Sequence, residues 1–300
     1  MTAPTPAPTP ARTAVRAGVR RGLTELRQSF TNAADLTSHL LWPALLLAVL
    51  FLLRDRDFGA SGLPFGTLVL PGVLGMNIAM GMVMMSQNLT ADREDGTLLR
   101  ARATPHGIRG YLIGKVVSVG GGLIADLAIF LVPGLLIVDG LVLGAAAWPT
   151  LGWVVVLGVL ATLPVGAVLG SLISSSRAQG LVQLPVLGAV AISGIFHPVT
   201  ALPDAVQWLA RLTPVYWLGH GTRSALLPAE AAAAAEIGGS WRLWETAGVL
   251  GLWAVAGLAL APVVLRRMAR PPSRSAVDAR PERAQRRSGG AIRAVRAVPG

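Results

Sequence analysis

The densest charge between the apolar blocks of this sequence is the run Asn88–Gly107. Asp92, Arg93, Glu94 and Asp95 precede Gly96 and Thr97; Leu98, Arg100 and Arg102 follow, and Pro105 closes the run. Acidic residues at the start and basic residues at the end suit the dipole of a short helix, which Pro105 and Gly107 would stop. A short charged helix at a membrane face has two readings: a docking element for a soluble protein, or a solvated connector.

Asp126 is the second point where chemistry is possible. It stands near the middle of an apolar block, where a carboxylate costs ~2.5–3.5 kcal/mol on insertion scales. It could contact a cation or proton on a transport path, or tie helices together through a hydrogen bond. Met76, Met80, Met82, Met84 and Met85 crowd the preceding block. Thioether surfaces repack around varied ligands, and they also serve as plain packing.

Other chemistries lack their residues. The chain has no cysteine, which removes disulfides and thiol catalysis. His39, His106, His197 and His220 have no carboxylate at a zinc-site spacing, and no Gly-x-Ser-x-Gly elbow occurs. Gly110 to Val116 is the nearest approach to a phosphate loop. Its spacing is one residue short of G-x-x-x-x-G-K-[ST] and the metal-binding hydroxyl is missing. No cofactor is therefore expected in this chain.

These residues sit among elements that only a membrane accommodates. Only 14% of the 300 residues are charged, against about a quarter in a soluble domain, and the apolar residues fall in long charge-free blocks. The fold class read from them is all-α and integral to the membrane: a bundle of six spans, at about 36–53, 67–89, 113–138, 148–172, 181–196 and 246–265. A crossing needs about 20 residues, so the fifth block is short. Pro71, near the start of the second, is tolerable in a first turn. Gly110/Gly114, Gly140/Gly144 and Gly166/Gly170 have the spacing that lets helices approach closely.

Four regions follow: a Pro/Thr-rich disordered tail over 1–13, an interfacial amphipathic helix over 14–35, the six-span domain over 36–265, and a basic disordered tail over 266–300. In the second region Val15, Val19, Leu23, Leu26 and Phe30 share one helical face, rimmed by Arg16, Arg20 and Arg27, as in a helix lying on a membrane. A basic tail without fixed structure is the alternative. A short outer helical or re-entrant segment is expected between spans five and six.

The net charge of +11 would suggest nucleic acid in a soluble protein. Here the excess sits next to apolar spans, at both termini and in the 90–115 loop, and reads as topology and contact with anionic lipids. Only Arg54, Arg56, Arg211, Arg223 and Arg242 fall on the opposite side. Both termini are thus expected in the cytoplasm. Trp148, Trp153, Trp208, Trp217, Trp241 and Trp244 are expected as an outer aromatic belt.

Two stretches resemble a known family. Arg93 to Arg100, Ala103-Thr104-Pro105 and Gly114-Lys115 resemble the R-E-x-G-T-L-x-R…A-T-P…G-K signature of ABC-2 type permeases, the membrane subunits of ABC exporters. The drug-efflux branch is closest in style. The stretch Ser193–Pro198, Leu202-Pro203, Trp208–Ala210 and Thr213–Tyr216 resembles the family's region after span five. His197 stands where the family more often has an aromatic or aliphatic residue.

The resemblance implies a bacterial plasma-membrane permease that forms the substrate pathway. It implies coupling to a separate cytosolic ABC ATPase through Asp92, Arg93, Glu94, Asp95, Gly96, Thr97, Leu98, Arg100, Arg102 and Pro105. ATP and Mg would then sit on the ATPase. A second permease copy, identical or paralogous, is implied, with the substrate path at the dimer interface. Asp126, Met80 and Met84 are the candidate pathway residues. The other readings are a non-transporting membrane anchor or assembly protein, and an intramembrane enzyme.

Overall fold

The computed structural model describes residues 10–56, 63–104, 107–173 and 175–268. Pro105, the first nine residues and the expected tail beyond Met268 lie outside them. Eleven α-helices occur in the described residues: α1 (Pro10–Ser29), α2 (Ala33–Leu53), α3 (Phe65–Glu94), α4 (Thr97–Arg102), α5 (Gly107–Ile137), α6 (Ala147–Leu172), α7 (Gly180–Ile192), α8 (Asp204–Leu212), α9 (Pro214–Leu226), α10 (Ala231–Ala235) and α11 (Leu243–Met268).

Five of these helices, α2, α3, α5, α6 and α11, are long and apolar enough to cross a membrane. The fifth expected block gives α7, with 13 residues, or about 20 Å of rise against a roughly 30 Å hydrocarbon core. It stops at Ile192 because Gly194 turns the chain with a φ of 74°, which a residue with a Cβ adopts only at a cost. Ser193 also donates back to the Val190 carbonyl at 2.7 Å. The six-span expectation therefore meets five full-length helices and one short apolar helix.

α3 is the axis of the bundle. Most of its apolar window is buried, because the helix is apolar or small on every side. Leu70, Leu74 and Ile78 fill the contacts with its neighbours, while Gly75 admits the backbone of α9 and Gly81 the side chains of α5 and α6. Of the methionines in this block, Met76, Met82 and Met85 are core residues. By contrast, α2 is buried over only 11% of its window. It shows Leu41, Leu45, Phe51 and Leu52 outward, as a lipid-facing helix does.

Two of the three glycine pairs act as contact surfaces. A Cβ on Gly18 of α1 would stand 2.5 Å from the Gly110 carbonyl, and one on Gly22 2.5 Å from that of Gly114. α1 and α5 therefore touch backbone to backbone. Gly166 and Gly170 similarly face Met82 and Ser86 of α3. Gly140 instead makes a turn at φ 79°, and nothing stands near Gly144, so the third pair is not a helix contact.

α1 begins and ends earlier than the expected 14–35. Its docked edge carries Gly18 and Gly22, while Val15 and Leu23 of the apolar face remain exposed. Of the expected aromatic belt, Trp148, Trp208 and Trp244 are exposed, but Trp217 is buried.

Candidate functional site

The charged run does not fold as one short helix. Asp92, Arg93 and Glu94 form the last turn of α3, and only Thr97–Arg102 makes the separate α4. The expected pairing of Asp92 and Glu94 with the start of the short helix is thus corrected: α3 runs on through its polar last turns to Glu94, and the chain breaks helix only where Gly96 takes a positive φ. Asp95 alone serves α4, accepting the Thr97 backbone N–H at 2.8 Å. Hydrogen bonds from the Thr97 hydroxyl and N–H hold its carboxyl below the usual carboxylate range.

Gly96 joins the two helices at φ 77°, in the left-handed region. Arg100 donates to the Thr97 hydroxyl at 2.8 Å. Leu98 is buried and anchors the turn, while Arg93, Glu94, Asp95, Leu99 and Arg100 are exposed. Arg93 also reaches the Ile173 carbonyl at 3.1 Å, tying the turn to the end of α6. The result is a charged knob with one apolar tip, Leu99, held by one apolar root, Leu98.

Behind the knob stands Lys115, the chain's one lysine. Its Nζ lies 2.8 Å from Asp92 Oδ2 and 3.2 Å from Glu25 Oε2. The Tyr111 hydroxyl donates to Asp92 Oδ2 at 2.7 Å. Arg21 donates to Glu25 Oε1 at 2.8 Å, and its guanidinium lies over the Tyr111 ring, 5.6 Å from the centroid. Burial alone would raise the Glu25 carboxyl, but Arg21 and Lys115 outweigh it and hold the group below its ordinary value. One ammonium thus joins α1, α3 and α5. Gly110 to Lys115, the near-miss phosphate loop, is regular helix in α5 packed on α1.

A cavity of about 530 Å³ opens beside this cluster and is lined by residues of α1, α2, α3, α4 and α5. Asp126 and Met84 line it; Met80 packs against the core. Inside, His39 Nδ1 is 2.5 Å from Asp126 Oδ1, and the Phe30 ring stacks on His39 at 4.5 Å. The sequence gives no sign that His39 partners Asp126, which lies 87 positions away.

At the other end of the bundle, Arg223 and Glu236 are fully buried partners at 2.6 Å. Tyr216 donates to Glu236 at 3.1 Å, and Arg223 to the Gly194 carbonyl at 3.1 Å. Arg223, counted from the sequence only as lying on the outer side, is a core residue, where Glu236 neutralises it. The His197 ring meets the Ala191 carbonyl at 2.7 Å, which closes the turn after α7. Among the described residues, no three His, Asp or Glu side chains converge as a metal site.

A family model described as ABC-2 type transporter matches residues 13–227. No curated protein matches the chain.

Proposed function

This chain belongs to the ABC-2 type transporter family, and from that premise we propose that it is the export permease of a complex driven by a separate ABC ATPase. The ATPase docks on the exposed knob Arg93–Arg100. ATP and Mg bind on that partner. α2, α3, α5, α6 and α11, with the short α7 as a sixth crossing, form the membrane domain, with both termini in the cytoplasm of a bacterial cell. α1 lies at the inner membrane surface, its Val15 and Leu23 in lipid.

The observation that carries this reading is the position of Lys115. A push on the knob moves Asp92, and Asp92 is held by the same ammonium that holds Glu25 of α1. Movement of the partner would reach α1 and α5 together. Such a link supplies what alternating access needs, namely an element with different contacts in two states. Asp126 and Met84 lie on the inner side of the path. A second permease copy completes the path, and drug-like molecules are the cargo class.

Co-purification with a cytosolic ABC ATPase, followed by ATP-driven transport in vesicles, tests the assignment. A chain that stays alone, with no ATPase bound, would overturn it.

A further inference from the structure

We propose that the cavity between α1, α2, α3 and α5 is a binding site for an organic cation, whose positive group takes the place of His39 on Asp126. The proposal names the cargo chemistry of the permease reading and rests on it only for the direction of travel.

A volume of about 530 Å³ is that of a drug-sized site. Its lining divides by chemistry. Near α4, Glu25 and Asp92 are matched by Arg21 and Lys115, with contacts of 2.8 to 3.2 Å. That half has no charge left to offer a ligand. The deeper half lies about 16 Å further along α5, from the eleven-residue step between Lys115 and Asp126. There His39 holds Asp126, Met84, Val119 and Gly122 line the same cavity, and Asp35 of α2 adds a second carboxylate one turn before His39; neither carboxylate has an Arg or Lys partner among the described residues.

Asp126 keeps a side-chain exposure of 21%. Its partner is an imidazole, which carries a charge only when it takes up a proton. An ammonium or phosphonium against the carboxylate gains a full ionic attraction in a poorly hydrated place. An anion meets repulsion there, and a neutral ligand nothing that singles it out. The Met84 thioether gives an adaptable wall for the apolar part of such a cation.

The exchange also has a mechanical consequence. His39 belongs to α2, the least buried of the long helices, and its bond to Asp126 is a polar tie from α2 to α5. A cation on Asp126 releases that tie. The ligand would then bind the two arrangements of α2 unequally, which is how a cargo biases a transporter.

The test uses the full chain in lipid nanodiscs, without an ATPase, and two probes of equal size and opposite charge: tetraphenylphosphonium and tetraphenylborate. Empty nanodiscs correct for partition into lipid. Saturable binding of the phosphonium is expected, with the borate at least tenfold weaker. Asp126→Asn should weaken phosphonium binding at least tenfold, and His39→Ala should tighten it by removing the competitor. Equal binding of the two probes, or unchanged binding in Asp126→Asn, overturns the proposal. Weakening by both substitutions alike also overturns it, because the pair is then structural. Since no ATPase is present, failure here leaves the coupling reading intact, and failure of coupling leaves this measurement intact.

Discussion

Lys115 and Asp92 form an ion pair of 2.8 Å across α5 and α3, and the lysine side chain is 8% exposed. Breaking a buried pair from one side costs up to ~3–5 kcal/mol, because the remaining charge stays without its partner. Lys115→Met is therefore expected to lower the thermal midpoint and to abolish ATP-driven transport. Asp92→Asn, which leaves Lys115 on Glu25, should cost less. A thermal melt of the purified chain and a vesicle transport assay check both. Transport at the normal rate in Lys115→Met would sink the relay.

Gly96 joins α3 to α4 at φ 77°. A residue with a Cβ costs about 1–2 kcal/mol in that region. Gly96→Val combined with Glu94→Lys should uncouple transport from ATP hydrolysis while the chain still reaches the membrane. Hydrolysis and transport measured on the same preparation decide the point; an unaltered ratio between them would argue against the knob as docking element.

Glu25 gives a pH dependence whose sign can be worked out. Its folded pKa lies below the ordinary 4.5 because Arg21 and Lys115 outweigh its burial. The ion pairs therefore stabilise the fold above the unfolded value and stop doing so as pH falls through the folded value. The wild-type chain should lose stability on acidification below about 4.5. Glu25→Gln should be less stable near neutral pH and show a shallower acid fall. Parallel curves for the two chains would remove Glu25 from the network.

Gly22 meets α5 so closely that a Cβ would stand 2.7 Å from that of Val117. Gly22→Val should overpack the contact by about 1–3 kcal/mol and lift α1 from α5. As the chain has no cysteine, a single engineered cysteine pair between α1 and α5 gives a clean readout. Its cross-linking yield should fall in the Gly22→Val background.

Arg223 and Glu236 are 1% and 0% exposed. Glu236→Gln leaves a buried guanidinium unmatched, at a cost on the order of 3–5 kcal/mol. Replacing both, as Arg223→Met with Glu236→Leu, should restore much of the loss. Thermal midpoints of the two variants check this, and equal midpoints would mean the pair contributes no more than its volume.

Much of this protein was legible in its residues. Hydropathy marked the long helices, since about 20 contiguous apolar residues are what a membrane crossing requires. The run of charge around Gly96 pointed to the segment of the exposed turn but not to where α3 ends, and small-residue spacing offered the contact at Gly110 and Gly114 but equally offered Gly140 and Gly144, which make none. These are properties of one helix at a time, written along the chain with a fixed period.

What joins helices could not be read in that way. The His39–Asp126 bond spans 87 positions, and Lys115 draws its two carboxylates from α1 and α3. Arg223, by its type an outer surface charge, became a core residue because the chain brings Glu236 back to it. Which apolar block is central was also decided in three dimensions: α2 and α3 have mean hydropathies of 2.1 and 1.9, yet 11% and 83% of their windows are buried. Composition fixes which side chains must leave water; only packing determines which of them meet one another and which meet lipid.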